Sequence, residues 1–279
     1  MIYFNCNGKL FTEGSLVVGA NSRALRYGDG LFETIKMQDG ELVLEDEHFA
    51  RLWKGMVVLQ FDISKHFTSG KLQKEIGVLV KKNNHENNAR IRLHVYRGDG
   101  GLYDAKNNTP NYIIQSWALP EEAGQWNSNG LVAGMYAEAR KACDILSNLK
   151  HSNYLAYVLG ALKAKNEKWN DAVMLNTFGR ICDTTIANIF LINGEVISTP
   201  ALKEGCVAGI MRKKIIQELI TLRWNIVENE ISINELLNAD EVFFTNSIYN
   251  IRWVQRIDDK VYTNTTTQKI YAAIIPTIL

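Results

Sequence analysis

The sequence predicts a two-lobed protein of mixed α and β structure, and three observations carry that reading. Its 279 residues suit two domains better than one. The first half opens on hairpin patterns that pass into a helix, and the second interleaves strands with helices. Nearly half of the residues are hydrophobic (46%), 22% are charged, and the formal net charge is +1. That places the chain among globular proteins and implies no polyanionic partner such as a nucleic acid.

The opening segment IYFNCNGKLF alternates about an Asn7-Gly8 turn, and GLFETIKM and ELVL flank a second turn at Gln38-Asp39-Gly40. Two hairpins follow. Next, EDEHFARLWKGMVVL begins with acids and spaces Phe49, Leu52, Trp53, Met56 and Val57 as one helical face. From Ala89 to Arg97 the chain alternates, with Ile91, Leu93 and Val95 on one side and Arg90, Arg92, His94 and Tyr96 on the other. That polar face wants water or a ligand.

Ser116 to Gly130 mixes Pro, Gly, acids and Asn, the composition of a linker. The expected division is a small N-terminal α/β domain over 1–118, a linker over 119–128 and a larger C-terminal α/β domain over 129–279. In the second part, LVAGMYAE, DAVML, NIFLI and EVFFTN read as strands; YLAYVLGALKAKNEK, IMRKKIIQELITL and QKIYAAIIPTIL read as helices.

Cys6, Cys143, Cys182 and Cys206 lie far apart without a Cys-x-x-Cys pair, and the five histidines are scattered, so no metal site and no disulfide framework is expected. The N-terminus has no basic stretch leading into an apolar core, and no run of about 18 apolar residues occurs. A cytoplasmic protein without a membrane span is expected.

Taken singly, the candidate functional residues are weak signals. Lys150 in LSNLKHSNYL reads as a solvated lysine ahead of a helix, Arg51 as a surface ion-pair arginine, and Asp183 in GRICDTTIANIF as a turn or capping acid. GIMRKK places a glycine before a helix, where free amides can receive a phosphate. Their order is more specific: R-x-x-x-R-Y-G-D-G-L-F-E-T, then H-F-A-R-L, L-K-H-S-N-Y-L, D-x-x-x-x-N-I-F and G-I-M-R. This set resembles the fold-type IV pyridoxal-phosphate enzymes, also called class IV aminotransferases, from Tyr3 to Val254. The family includes branched-chain and D-amino acid transaminases and 4-amino-4-deoxychorismate lyase.

The resemblance implies that Lys150 binds pyridoxal 5'-phosphate as a Schiff base and shuttles the α-proton. Arg51 is implied as the clamp on the cofactor phosphate, with Gly209, Ile210 and Met211 at a helix N-terminus and Ser247 as further phosphate contacts. Many relatives carry threonine where Met211 stands, so one hydroxyl contact is missing. Asp183 matches the acid that pairs with the pyridine nitrogen; most relatives have glutamate, about 1.3 Å longer. Tyr154 matches a tyrosine on the cofactor's phenolic oxygen, Tyr27 and Phe32 match the substrate pocket, and Arg92 is the expected partner of the substrate carboxylate, with Arg97 and Arg90 as rivals. Homodimers are implied as well.

The activity expected is amino-group transfer between an amino acid, of branched-chain type, and a 2-oxo acid. Aminodeoxychorismate lyase is the alternative, favoured by the LKH and GIMR strings and the short chain, while Tyr154, Tyr27 and Arg92 suit a transaminase. A non-catalytic relative that only binds the cofactor is the third reading.

Overall fold

Both predicted hairpin turns form, and for the reason their sequences suggest. Asn7 and Gly8 have φ of 50° and 85°, Asp39 and Gly40 of 51° and 86°. Positive φ at both central residues matches the twist of the flanking strands, and Asn-Gly and Asp-Gly tolerate it best. The structure, a computed structural model, describes residues 1–278; Leu279, the last residue of the C-terminal helical pattern, lies outside them.

The chain divides into two compact units. Unit 1 is Met1–Ala123 together with Lys150–Asn153, and unit 2 is Gly124–Leu149 with Tyr154–Leu279. The chain first passes from one unit to the other between Ala123 and Gly124. The transfer of four residues around Lys150 to unit 1 has no counterpart in the sequence reading.

Unit 1 runs β1 (Tyr3–Cys6), β2 (Lys9–Thr12), α1 (Arg23–Tyr27), β3 (Gly30–Gln38), β4 (Glu41–Leu42), α2 (Glu45–Val58), α3 (Ser69–Asn83), β5 (Asn88–Arg97) and β6 (Pro110–Ala118). Its sheet has the order β2-β1-β6-β5-β3-β4. Ile91 and Leu93 of β5, Ile35 of β3 and Ile114 of β6 are fully buried, together with Leu72, Ile76 and Leu79 of α3. The helix α3 was not read from the sequence, although Thr68 caps it by accepting from the Lys71 amide. In α2 the buried stripe is His48, Phe49, Leu52, Gly55 and Met56, and Val57 turns to solvent. Gly55 lets α2 lie close on β3: a Cβ there would stand 2.8 Å from Leu31 Cδ1.

Unit 2 runs β7 (Leu131–Lys141), α4 (Leu155–Asn166), β8 (Asp171–Asn176), β9 (Ile181–Thr184), β10 (Asn188–Asn193), β11 (Val196–Pro200), α5 (Ile210–Thr221), β12 (Asn225–Asn229), α6 (Ile233–Asn238), β13 (Glu241–Asn246), β14 (Asn250–Ile257), β15 (Lys260–Val261) and α7 (Thr265–Ile274). Its sheet has the order β12-β11-β10-β13-β14-β7-β8-β9, with β15 on β14. The pairs β7/β8, β7/β14 and β11/β12 are parallel. The helix predicted through QKIYAAIIPTIL stops at Ile274, because Pro276 cannot continue the amide ladder. Among the described residues no helix is long and apolar enough to cross a membrane.

Candidate active site

In unit 1, Lys150 is held by backbone pairing to β3. The Phe32 amide donates to the Lys150 carbonyl and the Ser152 amide to the Gly30 carbonyl, both at 2.9 Å. A bridge between Leu31 and His151 lies between them. The segment is fastened again by its side chains, where His94 Nε2 and Ser152 Oγ are 2.9 Å apart. Burial, followed by the charge of Arg92, brings the His94 pKa down to about 4, so this imidazole is neutral at physiological pH.

Lys150 Nζ stands 4.7 Å from the centre of the Phe32 ring, and the Arg92 guanidinium carbon 3.7 Å from the same centre. An amine and a planar cation thus share one aromatic platform, an arrangement the ring's quadrupole favours. Tyr27 has the guanidinium carbons of Arg23 and Arg26 each 5.0 Å from its ring centre.

Arg51 is indeed an ion-pair arginine, but not a surface one. Its Nε donates to Glu33 Oε1 at 2.8 Å and its Nη2 to Oε2 at 2.5 Å. Glu33 and His48 are almost completely buried, and His48 Nδ1 is 2.7 Å from Glu33 Oε2. Burial pushes the Glu33 pKa up; Arg51 and His48 more than reverse this and hold it at about 2. Glu33 was not singled out in the sequence. The signal was an acid in the GLFETI strand at the same parity as Leu31 and Ile35, both of which are buried.

Arg97, a rival of Arg92 for substrate, is committed elsewhere. It donates to both Asp29 oxygens at 3.2 and 3.0 Å, to Asn108 Oδ1 at 2.8 Å and to the Leu59 and Gln60 carbonyls. Arg90 lies exposed against Trp117, 5.1 Å from its ring centre.

In unit 2, Asp183 on β9 is buried and gathers three donors on a single oxygen. Lys141 Nζ at 2.8 Å, the Tyr157 hydroxyl at 2.7 Å and the Val207 amide at 3.0 Å all point at Oδ2. The other oxygen, Oδ1, receives the weak Cys182 thiol at 3.4 Å. Burial pushes the Lys141 pKa down, but the charge of Asp183 reverses this and the net shift is upward. Lys141 therefore stays a cation. The Tyr157 phenol is pushed well above its ordinary value, first by burial and then by Asp183. Tyr154 packs beside it, ring centres 5.1 Å apart. Neither Lys141 nor Tyr157 was singled out in the sequence.

The helix α5 begins at Gly209 with no side-chain cap, so its leading amides are open to an anion. A Cβ on Gly209 would fall 1.9 Å from Asn188 Oδ1, which explains glycine there. Asn188 Nδ2 donates to the Val207 carbonyl at 2.9 Å, so the approach to α5 is tied to the strand that follows Asp183. The side chains of Ile210 and Met211 are buried, so at this helix start they present only backbone. Ser247 follows β13 in a turn where Asn246 Oδ1 accepts from the Ile248 and Tyr249 amides.

These features suit a ring that carries a phosphate and a protonated nitrogen: uncapped helix amides for the first, and a buried carboxylate oxygen with little competition for the second. The chain belongs to the amino-transferase class IV family, whose model matches residues 30–257. It is 28% identical over 242 residues to the aminodeoxychorismate lyase of Vibrio harveyi, covering 86% of this chain and 87% of that protein. It is 27% identical over 254 residues to the D-alanine aminotransferase of Bacillus licheniformis, with 90% and 87% covered. The branched-chain aminotransferase of Thermoproteus uzoniensis, solved with norvaline, superposes with a TM-score of 0.89 at 25% identity, over 99% of this chain and 94% of that one.

Proposed function

We propose that this protein is a cytoplasmic, pyridoxal-phosphate-dependent aminotransferase that moves the amino group of an α-amino acid of branched-chain type to a 2-oxo acid. The observation that carries the reading is the shared Phe32 ring, with Lys150 Nζ at 4.7 Å and the Arg92 guanidinium at 3.7 Å. An α-amino acid presents its nitrogen and its carboxylate on one carbon. A lysine amine and a planar cation beside one ring offer a group for each.

When bound, pyridoxal phosphate supplies an electron sink for the charge left on the α-carbon. The rest is done by this chain. Lys150 would hold the cofactor through its carbonyl and would hold and return the α-proton. Arg92 orients the carboxylate with its planar fork. Asp183 Oδ1 keeps a proton on the ring nitrogen, while Lys141, Tyr157 and the Val207 amide fix the carboxyl through Oδ2. The amides of Ile210 and Met211, Arg51 and Ser247 receive the phosphate, Tyr154 the phenolic oxygen, and Tyr27 and Phe32 line the substrate pocket.

The lyase reading is favoured by the LKH and GIMR strings. It needs a cation for a second carboxylate, and Arg97 is already bonded to Asp29, Asn108 and two carbonyls. Mixing the yellow enzyme with one amino donor and no oxo acid separates the two. Conversion of the absorbance to that of pyridoxamine phosphate supports transfer. Release of pyruvate from aminodeoxychorismate with the spectrum unchanged replaces it with the lyase, and inertness toward both leaves a binding protein.

A homodimer is part of the proposal. Leu155, Val158, Leu159 and Leu162 of α4 form an exposed apolar stripe at helical spacing, 78%, 48%, 47% and 52% accessible. A second copy of the chain would cover it.

A further inference from the structure

Unit 2 contains a recess at one end of its sheet with about 310 Å³ of free space, part of it open to solvent. Leu131, Phe244 and Tyr249 give it apolar walls, and Thr245, Asn250 and Arg252 give it polar ones. Register explains the grouping: β13 turns back into β14 so that Asn246 pairs with Asn250, Thr245 with Ile251 and Phe244 with Arg252.

Three polar groups here lack what such groups normally have. Thr245 is 2% exposed and Asn250 0%, yet Thr245 Oγ1 and Asn250 Oδ1 have no hydrogen-bond partner. The Asn250 amide is oriented, because its Nδ2 donates to the Gly124 carbonyl at 3.0 Å. Arg252 is half-buried, with its guanidinium carbon 5.3 Å from the Tyr249 ring centre, and forms no hydrogen bond or ion pair among the described residues. Buried polar atoms are satisfied in the great majority of cases, so two such atoms beside a half-buried guanidinium ask for a partner.

Burial pushes the Arg252 pKa down and the charges of Tyr249 and Asp171 oppose this, but Asp171, the one acid in the recess, forms no hydrogen bond or ion pair with Arg252. Asp171 lines it too, but its carboxylate accepts from the Ala172 and Thr185 amides and the Thr184 and Thr185 hydroxyls at 2.5 to 3.1 Å. Three of these donors fall on Oδ1 and the Thr184 hydroxyl on Oδ2, so both oxygens are engaged within unit 2. What is left over is a planar cation, a hydroxyl and an amide oxygen beside an aromatic wall. Their complement is an anion that also donates a hydrogen bond from the neighbouring carbon.

We propose that this recess binds a small 2-hydroxy or 2-amino monocarboxylate, its carboxylate on Arg252 and its hydroxyl or ammonium on Asn250 Oδ1 and Thr245 Oγ1. Its polar residues are distinct from those assigned to the transfer reaction, so the site stands whether or not that assignment does. L-lactate is a suitable probe, since it has the carboxylate and the hydroxyl but no amine to react with the cofactor. Calorimetric titration of the cofactor-loaded enzyme should show lactate binding that weakens at least tenfold in Arg252→Met, with an intermediate loss in Arg252→Lys, which keeps the charge without the fork. Propionate, which lacks the hydroxyl, should bind more weakly than lactate, and Thr245→Val should narrow that gap. Equal lactate affinity in the wild type and a folded Arg252→Met protein overturns the proposal. So does a lactate signal that survives Arg252→Met but disappears with Arg92→Gln, or a lactate-soaked crystal with only water beside Arg252.

Discussion

Arg51 holds Glu33 by two parallel hydrogen bonds, one to each carboxylate oxygen, at 2.8 and 2.5 Å. The pair sits where α2 crosses β3, and His48 closes it from the other side at 2.7 Å. Two of the three guanidinium nitrogens are therefore spent on folding unit 1, and a phosphate role for Arg51 has to share the residue with that task. Glu33→Gln should destabilise the protein by about 3–5 kcal/mol, because it leaves a cation without its counter-charge in a buried site. The loss depends on pH. The folded pKa of Glu33, about 2, lies below its unfolded value of 4.5, so its contribution is complete above 4.5 and fades as the pH falls toward 2. Denaturation midpoints of wild type and variant should converge over that interval; a constant gap would mean that the carboxylate charge is not what matters.

For Lys150 the expected outcome is a yellow protein, and Lys150→Ala should keep the cofactor but lose the imine and the activity. Borohydride reduction followed by peptide mapping should mark Lys150. A label on any other lysine would remove it from the proposed chemistry.

Asp183→Asn should retain the cofactor and slow α-proton removal by at least about 10²-fold, the range for losing such an electrostatic partner. The amide must turn its oxygen toward Lys141, Tyr157 and Val207, since all three donate there. Its NH2 then faces the other way, offering a donor where an acceptor is required. Isotope exchange at the α-carbon of the amino donor measures the step directly, and an unchanged exchange rate would assign the ring nitrogen to another acid.

The α4 stripe predicts the state of assembly. Leu159→Glu, in the middle of the exposed face, should shift light-scattering mass from dimer to monomer without unfolding the chain. A monomeric wild type would dispose of the dimer reading.

What the sequence displayed well was whatever is decided within a few residues. The Asn-Gly and Asp-Gly turns, the uncapped glycine ahead of α5 and the alternation of Ile91, Leu93 and Val95 are local matters of φ, capping and pleat. Lys150 and Asp183 stood out through their neighbouring motif residues. Their supporting partners did not, because those come from far along the chain: Arg51 meets Glu33 across 18 positions, Tyr157 meets Asp183 across 26, and Lys141 meets Asp183 across 42. Nothing local marks one lysine among many as the one beside a buried acid. The helix α3 was different. Thr68 followed by Leu72, Ile76, Leu79 and Val80 carries a cap and an apolar stripe, so its signal was present and readable.

The attachment of Lys150–Asn153 to β3 means that neither unit is one uninterrupted stretch of chain. The polypeptide changes unit after Ala123, again after Leu149 and once more after Asn153. A single proteolytic cut near residue 123 would therefore yield an N-terminal fragment without its lysine-bearing strap and a C-terminal fragment with that strap stranded. Exchange of whole halves between related chains carries the same penalty: a chimera joined only at the linker inherits Lys150 from one parent and the strand that must clasp it from the other. For this architecture the natural unit of inheritance is the pair, Gly30–Phe32 with Lys150–Ser152, rather than either half alone.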